Sequence, residues 1–253
     1  MRAIAAGLSD VGKQRVHNED RFILLPEFSV YVVADGMGGH QSGEVASRMA
    51  ASTIAAYFRN LDGSVRRAPG ERLRAAVSHA NARIFARADD SRAHRGMGTT
   101  VVAAAFSCDS GDVYVAHAGD SRCYRLRGTT FEQLTRDHSL VSDALLERPD
   151  LSPSDLAYLP KNVITRALGI GPTVDVDLRV DHAEPGDVYL LCSDGLHSLV
   201  SDEEIVQLLE DYPVLTEACA ALVSRANAAG GKDNITAVLV RIETDDAPWS
   251  VGR

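Results

Sequence analysis

Ser29-Val30-Tyr31-Val32-Val33-Ala34-Asp35-Gly36-Met37-Gly38-Gly39-His40 is the stretch on which the fold turns. Residues 29–34 (Ser-Val-Tyr-Val-Val-Ala) are predicted to form a strand, apolar on both faces and therefore central in its sheet. The strand runs into a carboxylate, Asp35, and three glycines that let the backbone approach another group without a Cβ in the way. A carboxylate at the end of a buried strand is costly to desolvate without a compensating partner. A tight turn after a central strand accounts for this pattern, and so does a turn that carries a ligand; the two are compatible.

Working outward, residues 2–8 are predicted as a strand. Val45, Met49, Ile54 and Phe58 fall near helical spacing between Ser42 and Phe58. Leu73, Val77, Ala80, Ile84 and Ala88 form the apolar stripe of a second helix. Runs at 99–107 and 112–118 flank the turn Asp109-Ser110-Gly111, and a further strand spans 121–127. Residues 139–163 change character, with Pro149, Pro153, Pro160 and a helix-capping signal at Ser152–Asp155, and read as a small excursion between strands. Strands resume at 174–180 and 187–193, helices follow at 202–210 and 214–228, and residues 234–242 close as a strand. Helices arriving in consecutive pairs, not one per strand, predict a layered α+β domain and not a doubly wound sheet. Residues 1–243 are expected to form the domain, followed by a polar tail at 244–253.

The 253 residues suffice for a core without disulfide staples. Lys and Arg number 26 against 35 Asp and Glu, a net charge of −9 that disfavours nucleic acid or an acidic membrane surface as partner. Residues 1–127 carry 17 basic and 13 acidic side chains, residues 128–253 carry 9 and 22, so carboxylates crowd the second half, a composition that suits hard cations. Cys108, Cys123, Cys192 and Cys219 make no CxxC pair and are expected to be buried small hydrophobes in a reduced compartment. With neither an apolar leader nor an 18-residue apolar run, membrane insertion is not expected and a cytoplasmic location is. Nine arginines between Arg59 and Arg95 are expected to line the solvated face of a helix pair, and no site is assigned to them.

Asp20, Asp35, Asp120 and Asp194 each stand where a strand is predicted to end, beside glycine or a small polar residue, and Asp233 stands at the entrance to the last strand. One such residue is most simply a turn-former or cap. Five in one domain, with no His or Cys partners, point to Mg²⁺ or Mn²⁺ over zinc or copper. Such ions can lower the pKa of a shared water and clamp a phosphoryl group.

Arg15-x-x-Asn18-Glu19-Asp20, Asp35-Gly36-Met37-Gly38-Gly39-His40, Gly98-Thr99-Thr100, Ala118-Gly119-Asp120-Ser121-Arg122, Leu134-Thr135-x-Asp137-His138-Ser139, Ile164-Thr165-Arg166-Ala167-Leu168-Gly169, Ser193-Asp194-Gly195-Leu196 and Lys232-Asp233-Asn234-Ile235-Thr236 together resemble the ordered motif set of the type 2C metal-dependent serine/threonine protein phosphatases, in their compact bacterial form. The resemblance covers nearly the whole chain. It implies a four-layer α-β-β-α sandwich of two mostly antiparallel sheets flanked by helix pairs, with residues 139–163 as a flap beside the site. It further implies Mn²⁺ or Mg²⁺, as two ions and a weaker third. Asp35 would bridge the two, Asp194 and Asp233 would complete one, and the Gly36 carbonyl and Glu19 (through water) would serve the other. Asp120 with Asp194 would hold the third. Asp20 would orient the attacking water, and Arg15 would grip the substrate phosphate.

The implied reaction is in-line attack of a metal-activated water on a phosphoserine or phosphothreonine, with no covalent phosphoenzyme. Phosphoprotein substrates are the implied partners, with a serine/threonine kinase acting in opposition. Where many eukaryotic relatives have a histidine after Asp-Gly, this chain has Met37, which leaves His40 or a metal-bound water as donor to the leaving group. His17 is expected to be a polar turn residue.

Competing readings are weaker. Cys219 and Arg225 have the C-x5-R spacing of cysteine phosphatases, but the segment lacks glycine and lies in a helical pattern. Asp175-Val176-Asp177 begins a strand instead of ending one, and Gly36-Met37-Gly38-Gly39 lacks the third glycine of a dinucleotide loop. A catalytically silent phosphoprotein-binding module of the same fold would be marked by a lost ligand position, and every one is filled.

Overall fold

The computed structural model describes residues 1–38, 42–60, 68–90, 96–160 and 163–244. One sheet has the order β1 (Arg2–Asp10), β11 (Ile235–Glu243), β10 (Val188–Cys192), β7 (Arg122–Arg127), β8 (Thr130–Gln133). The other runs β2 (Asp20–Leu25), β3 (Val30–Met37), β5 (Val101–Phe106), β6 (Asp112–Ala118), β9 (Asp177–His182), with the two-residue β4 (Gly98–Thr99) on the far end of β3. Every paired strand is antiparallel. Helices α1 (Ser42–Arg59) and α2 (Pro69–Asp89) cover the second sheet, and α6 (Asp202–Asp211) and α7 (Leu215–Ala228) cover the first. The result is the α-β-β-α sandwich.

The period of two along each strand explains why the central strands are apolar on both faces. In β3, Val30, Val32 and Ala34 pack under α1 and α2, while Tyr31 and Val33 fill the space between the sheets. In β10, Val188, Leu190 and Cys192 face the α6/α7 layer, and Tyr189 and Leu191 face inward. β11 divides likewise, with Ala237 and Leu239 outward and Val238, Val240 and Ile242 inward. In β5, Ala103 and Ala105 face the helix layer and are small enough for it to approach closely, and all six residues of that strand are buried.

The same alternation positions the acidic residues. Asp35 continues the inward series Tyr31, Val33, and Asp20 continues the series Leu24, Phe22 from the neighbouring strand, where it lies opposite Asp35. Both therefore cap the inter-sheet space at one rim. The strand-end expectation needs correction in detail. Asp20 opens β2, Asp35 lies inside β3, and Asp194 is the first residue of a short helix, α5 (Asp194–His197). Asp120 and Asp233 lie just outside β6 and β11. Asp120 and Asp194 do follow the ends of β6 and β10, and Asp233 precedes β11, as expected; Asp35 does not end its strand, and what all five share is the rim.

β2, β8 (paired to β7) and the short helix α5 escape the sequence pattern, whereas α3 (Leu140–Glu147) falls within the excursion at 139–163. The excursion at 139–163 is closed at its base by a bridge between Ser139 and Ile164, and it contains α3 and α4 (Pro153–Ala157), the latter with the expected capping box between Ser152 and Asp155.

Candidate metal centre

Asp20 is fully buried, and its Oδ2 accepts hydrogen bonds from Ser193 Oγ at 2.7 Å and Thr236 Oγ1 at 2.6 Å. These hydroxyls come from β11 and the end of β10, so the carboxylate ties the two sheets together at the rim. Its Oδ1 is buried with no partner, and so are Asp120 Oδ1 and Asp194 Oδ1. Burial raises the Asp20 pKa to about 6 against the opposing pull of the two hydroxyls. Asp35 is driven well above the ordinary carboxylate range, first by burial and then by the charges of Asp20, Asp194, Asp120 and Asp233. Burial and Asp194 push Asp120 to about 7, while burial and Asp233 raise Asp194. Such mutual repulsion means the carboxyl groups share one region of space.

The backbone around them is held with little slack. Asp35 C=O accepts from Thr100 N and from Thr99 Oγ1, both at 2.8 Å. Asn234 accepts from Glu19 N at 2.8 Å and donates to the carbonyls of Val11 and His17, both at 2.9 Å. His17 is thus the turn residue expected of it. A Cβ on Gly36 would stand 2.1 Å from Gly43 O and 2.7 Å from Glu19 O, and one on Gly195 would stand 2.0 Å from Asn234 O. Only glycine permits this approach of backbone to backbone. Glu19 is part-buried, and its carboxyl is raised by burial against the lowering effect of Arg15. Arg15 makes an ion pair with Asp233, Nη2 to Oδ2 at 2.7 Å. It therefore sits at the cluster, although its observed partner is a carboxylate.

Asp20, Asp35, Asp120, Asp194, Asp233, Glu19, Gly36 and Arg15 are brought to one rim; His40 lies outside the described residues. Sequence reading gave no role to Ser193, Thr236 or Asn234, although strand parity marks the first two: Ser193 follows Leu191 by two and Thr236 precedes Val238 by two. The donors are all oxygen, several lack any partner, and excess negative charge is concentrated among them. That combination fits hard divalent cations.

Residues 13–239 match the protein phosphatase 2C family. The chain belongs to that family. It is 38% identical over 237 residues to the serine/threonine phosphatase stp of Listeria monocytogenes (serovar 1/2a), covering 92% of this chain and 93% of the relative. Protein phosphatase PhpP of Streptococcus pneumoniae (strain R6) is 36% identical over 244 residues, 95% of this chain and 98% of that one. Among solved structures, the Mycobacterium tuberculosis phosphatase PstP/Ppp superposes with a TM-score of 0.86 at 35% identity, over 96% of this chain and all of that one. The catalytic domain of PstP with two manganese ions gives 0.83 at 33% identity, over 96% and 99%. The protein phosphatase 2C fold, its phosphatase chemistry and its dependence on metal follow for this chain.

A second cluster, His117, His138 and Asp177, places three ligand atoms within 4.8 Å of one another. Its geometry does not suit a cation. The two rings are stacked, with planes 4° apart and centroids 4.7 Å apart, so their in-plane lone pairs run parallel and cannot converge on one ion at about 2.0 Å. His138 Nδ1 also accepts from Gly119 N at 3.1 Å, which leaves the proton on Nε2, facing Asp177 Oδ2 at 3.3 Å. Cys219 lies in α7, buried, its thiol pushed up to about 12 by burial, so the C-x5-R spacing carries no nucleophile. Among the described residues, no helix is long and apolar enough to cross a membrane.

Proposed function

We propose that this phosphatase hydrolyses phosphoserine and phosphothreonine in proteins at a binuclear Mn²⁺ or Mg²⁺ centre with a weaker third site, in the roles the motif resemblance implies. Asp35 would bridge the two ions, Asp194 and Asp233 would complete one, and Gly36 C=O and Glu19 would serve the other. Asp120 and Asp194 would hold the third. The observation that carries this is the set of buried, unpartnered oxygens on Asp20, Asp120 and Asp194 at one rim, with no imidazole or thiolate beside them among the described residues. When bound, the ions supply a water of lowered pKa and neutralise charge on the phosphoryl group.

The chain's own residues do the rest. Ser193 and Thr236 occupy Asp20 Oδ2, so the carboxylate is fixed in orientation with Oδ1 left to hold a proton of the attacking water. Arg15 spends one of its five donors on Asp233 and is half-exposed, within reach of a phosphate that would compete for the guanidinium. The Gly36 and Gly195 contacts keep ligand-bearing turns from drifting. Opposition to a serine/threonine kinase, and action of residues 139–163 as a flap, belong to the same proposal.

Asp35→Asn and Asp194→Asn each abolish turnover of p-nitrophenyl phosphate with Mn²⁺ while the circular dichroism of the folded protein is kept. Retained turnover in either variant overturns the ligand assignment. A silent phosphoprotein-binding module would be indicated instead by a wild-type protein inert toward this substrate across Mn²⁺ and Mg²⁺.

A further inference from the structure

Two histidines outside the carboxylate cluster, His138 buried and His197 part-buried, hold the backbone of Gly119 and Asp120. His138, fully buried, hooks Gly119 twice: its backbone N–H donates to Gly119 O at 2.9 Å, and its Nδ1 accepts from Gly119 N at 3.1 Å. Its Nε2 lies 3.3 Å from Asp177 Oδ2, without hydrogen-bond alignment, and the other oxygen of Asp177 accepts from Arg166 Nη1 at 2.6 Å. His197 Nε2 lies 3.0 Å from the carbonyl oxygen of Asp120 and donates to it, because a carbonyl can only accept. His197 is the last residue of α5, whose first residue is Asp194. One ring thus connects the turn that carries Asp120 to the helix turn that carries Asp194.

We propose that His197 and His138 are positioning residues that fix the separation of the Asp120 and Asp194 carboxylates, and so set the affinity of the weakest cation site. This rests on the proposed role of Asp120 and Asp194 as ligands of that site. The physical need is plain. Asp120 lies outside any strand, so no ladder registers it, in contrast to Asp35, which is held by β2 and by Thr99 and Thr100. Two repelling carboxylates, each with an unpartnered oxygen, would move apart unless their backbones were tied. Oxygen ligands to a small divalent ion must be placed within a few tenths of an ångström, and a site with few protein ligands loses affinity first when one drifts.

Isothermal titration calorimetry of the chelator-stripped protein with Mn²⁺ tests this. His197→Leu, which removes the donor but keeps the bulk, weakens the weakest binding phase by about tenfold, the scale of one lost hydrogen bond, and leaves the tighter phases unchanged. His197→Gln, whose amide nitrogen can stand where Nε2 does, restores it, whereas a merely space-filling role would favour leucine over glutamine. His138→Asn, which keeps an acceptor for Gly119 N–H, retains the phase better than His138→Leu, and serves if His197→Leu does not fold. Asp120→Asn provides the reference. If it removes the weak phase while neither His197→Leu nor His138→Leu shifts it by more than about twofold, the clamp is wrong and the ligand role stands. If Asp120→Asn leaves the isotherm unchanged, the ligand role falls and the clamp falls with it.

Discussion

Asp20→Asn should make the metal-free protein more stable at neutral pH, and the size of the gain follows from the site. The Asp20 carboxyl titrates near 3.8 when unfolded and is pushed up to about 6 when folded, because burial disfavours its charge. At about 1.4 kcal/mol for each tenfold change in proton affinity, the folded protein bears about 3 kcal/mol for keeping this group ionised. The penalty is absent below pH 3.8, grows as pH rises towards 6, and is complete above it. Asparagine presents an oxygen to the Ser193 and Thr236 hydroxyls without the charge. Urea unfolding in EDTA should therefore find the variant about 2–3 kcal/mol more stable than wild type at pH 7.5 and nearly equal to it at pH 4. The melting temperature at pH 7.5 should rise by roughly 5–10 °C. Saturating Mn²⁺ should narrow the gap, since a ligand that binds only the folded form stabilises the wild type by mass action. A variant no more stable than wild type in EDTA at pH 7.5 would refute the claim that burial of charge dominates at this rim.

Arg127 pairs with the buried Asp187 through Nε–Oδ1 at 2.9 Å and Nη2–Oδ2 at 2.6 Å, at the end of β7 away from Asp120. Arg127→Met removes the counter-charge of that carboxylate, leaving it the Glu184 N–H at 2.8 Å, and should cost about 3 kcal/mol in urea unfolding, with phosphatase activity per folded molecule unchanged. Gly36→Ala forces a Cβ to 2.1 Å from Gly43 O and should abolish Mn²⁺ uptake in calorimetry, whereas Gly171→Ala, whose nearest neighbour would be 3.4 Å away, should leave it intact.

Much of the fold and of the site is legible in the sequence. The double-faced apolar run at 30–34, the stripe from Leu73 to Ala88 and the hairpin around Asp109–Gly111 are short-range patterns, and each appears as a strand, helix or turn where expected. The motif order identified which acidic residues to gather. Invisible were contacts set by which strands become neighbours: nothing near Asp20 in sequence announces Ser193 or Thr236. His138 and His197 were hidden for the same reason, since each acts on a peptide at a distance along the chain. β8 is short and polar and owes its existence to pairing with β7. Arg15 shows a limit of another kind, because its partner here is Asp233, a contact that motif spacing does not encode.

β11, the last of the described strands, does not join the edge of its sheet but fits between β1 and β10, pairing Asp10 with Ile235 on one side and Cys192 with Ala237 on the other. On the ribosome, a growing chain would leave β1 without its sheet neighbour until β11 emerges. Thr236 and Asp233 arrive with it. A chain truncated before residue 233 should lack both the partner of β1 and two residues of the rim, and should be inert.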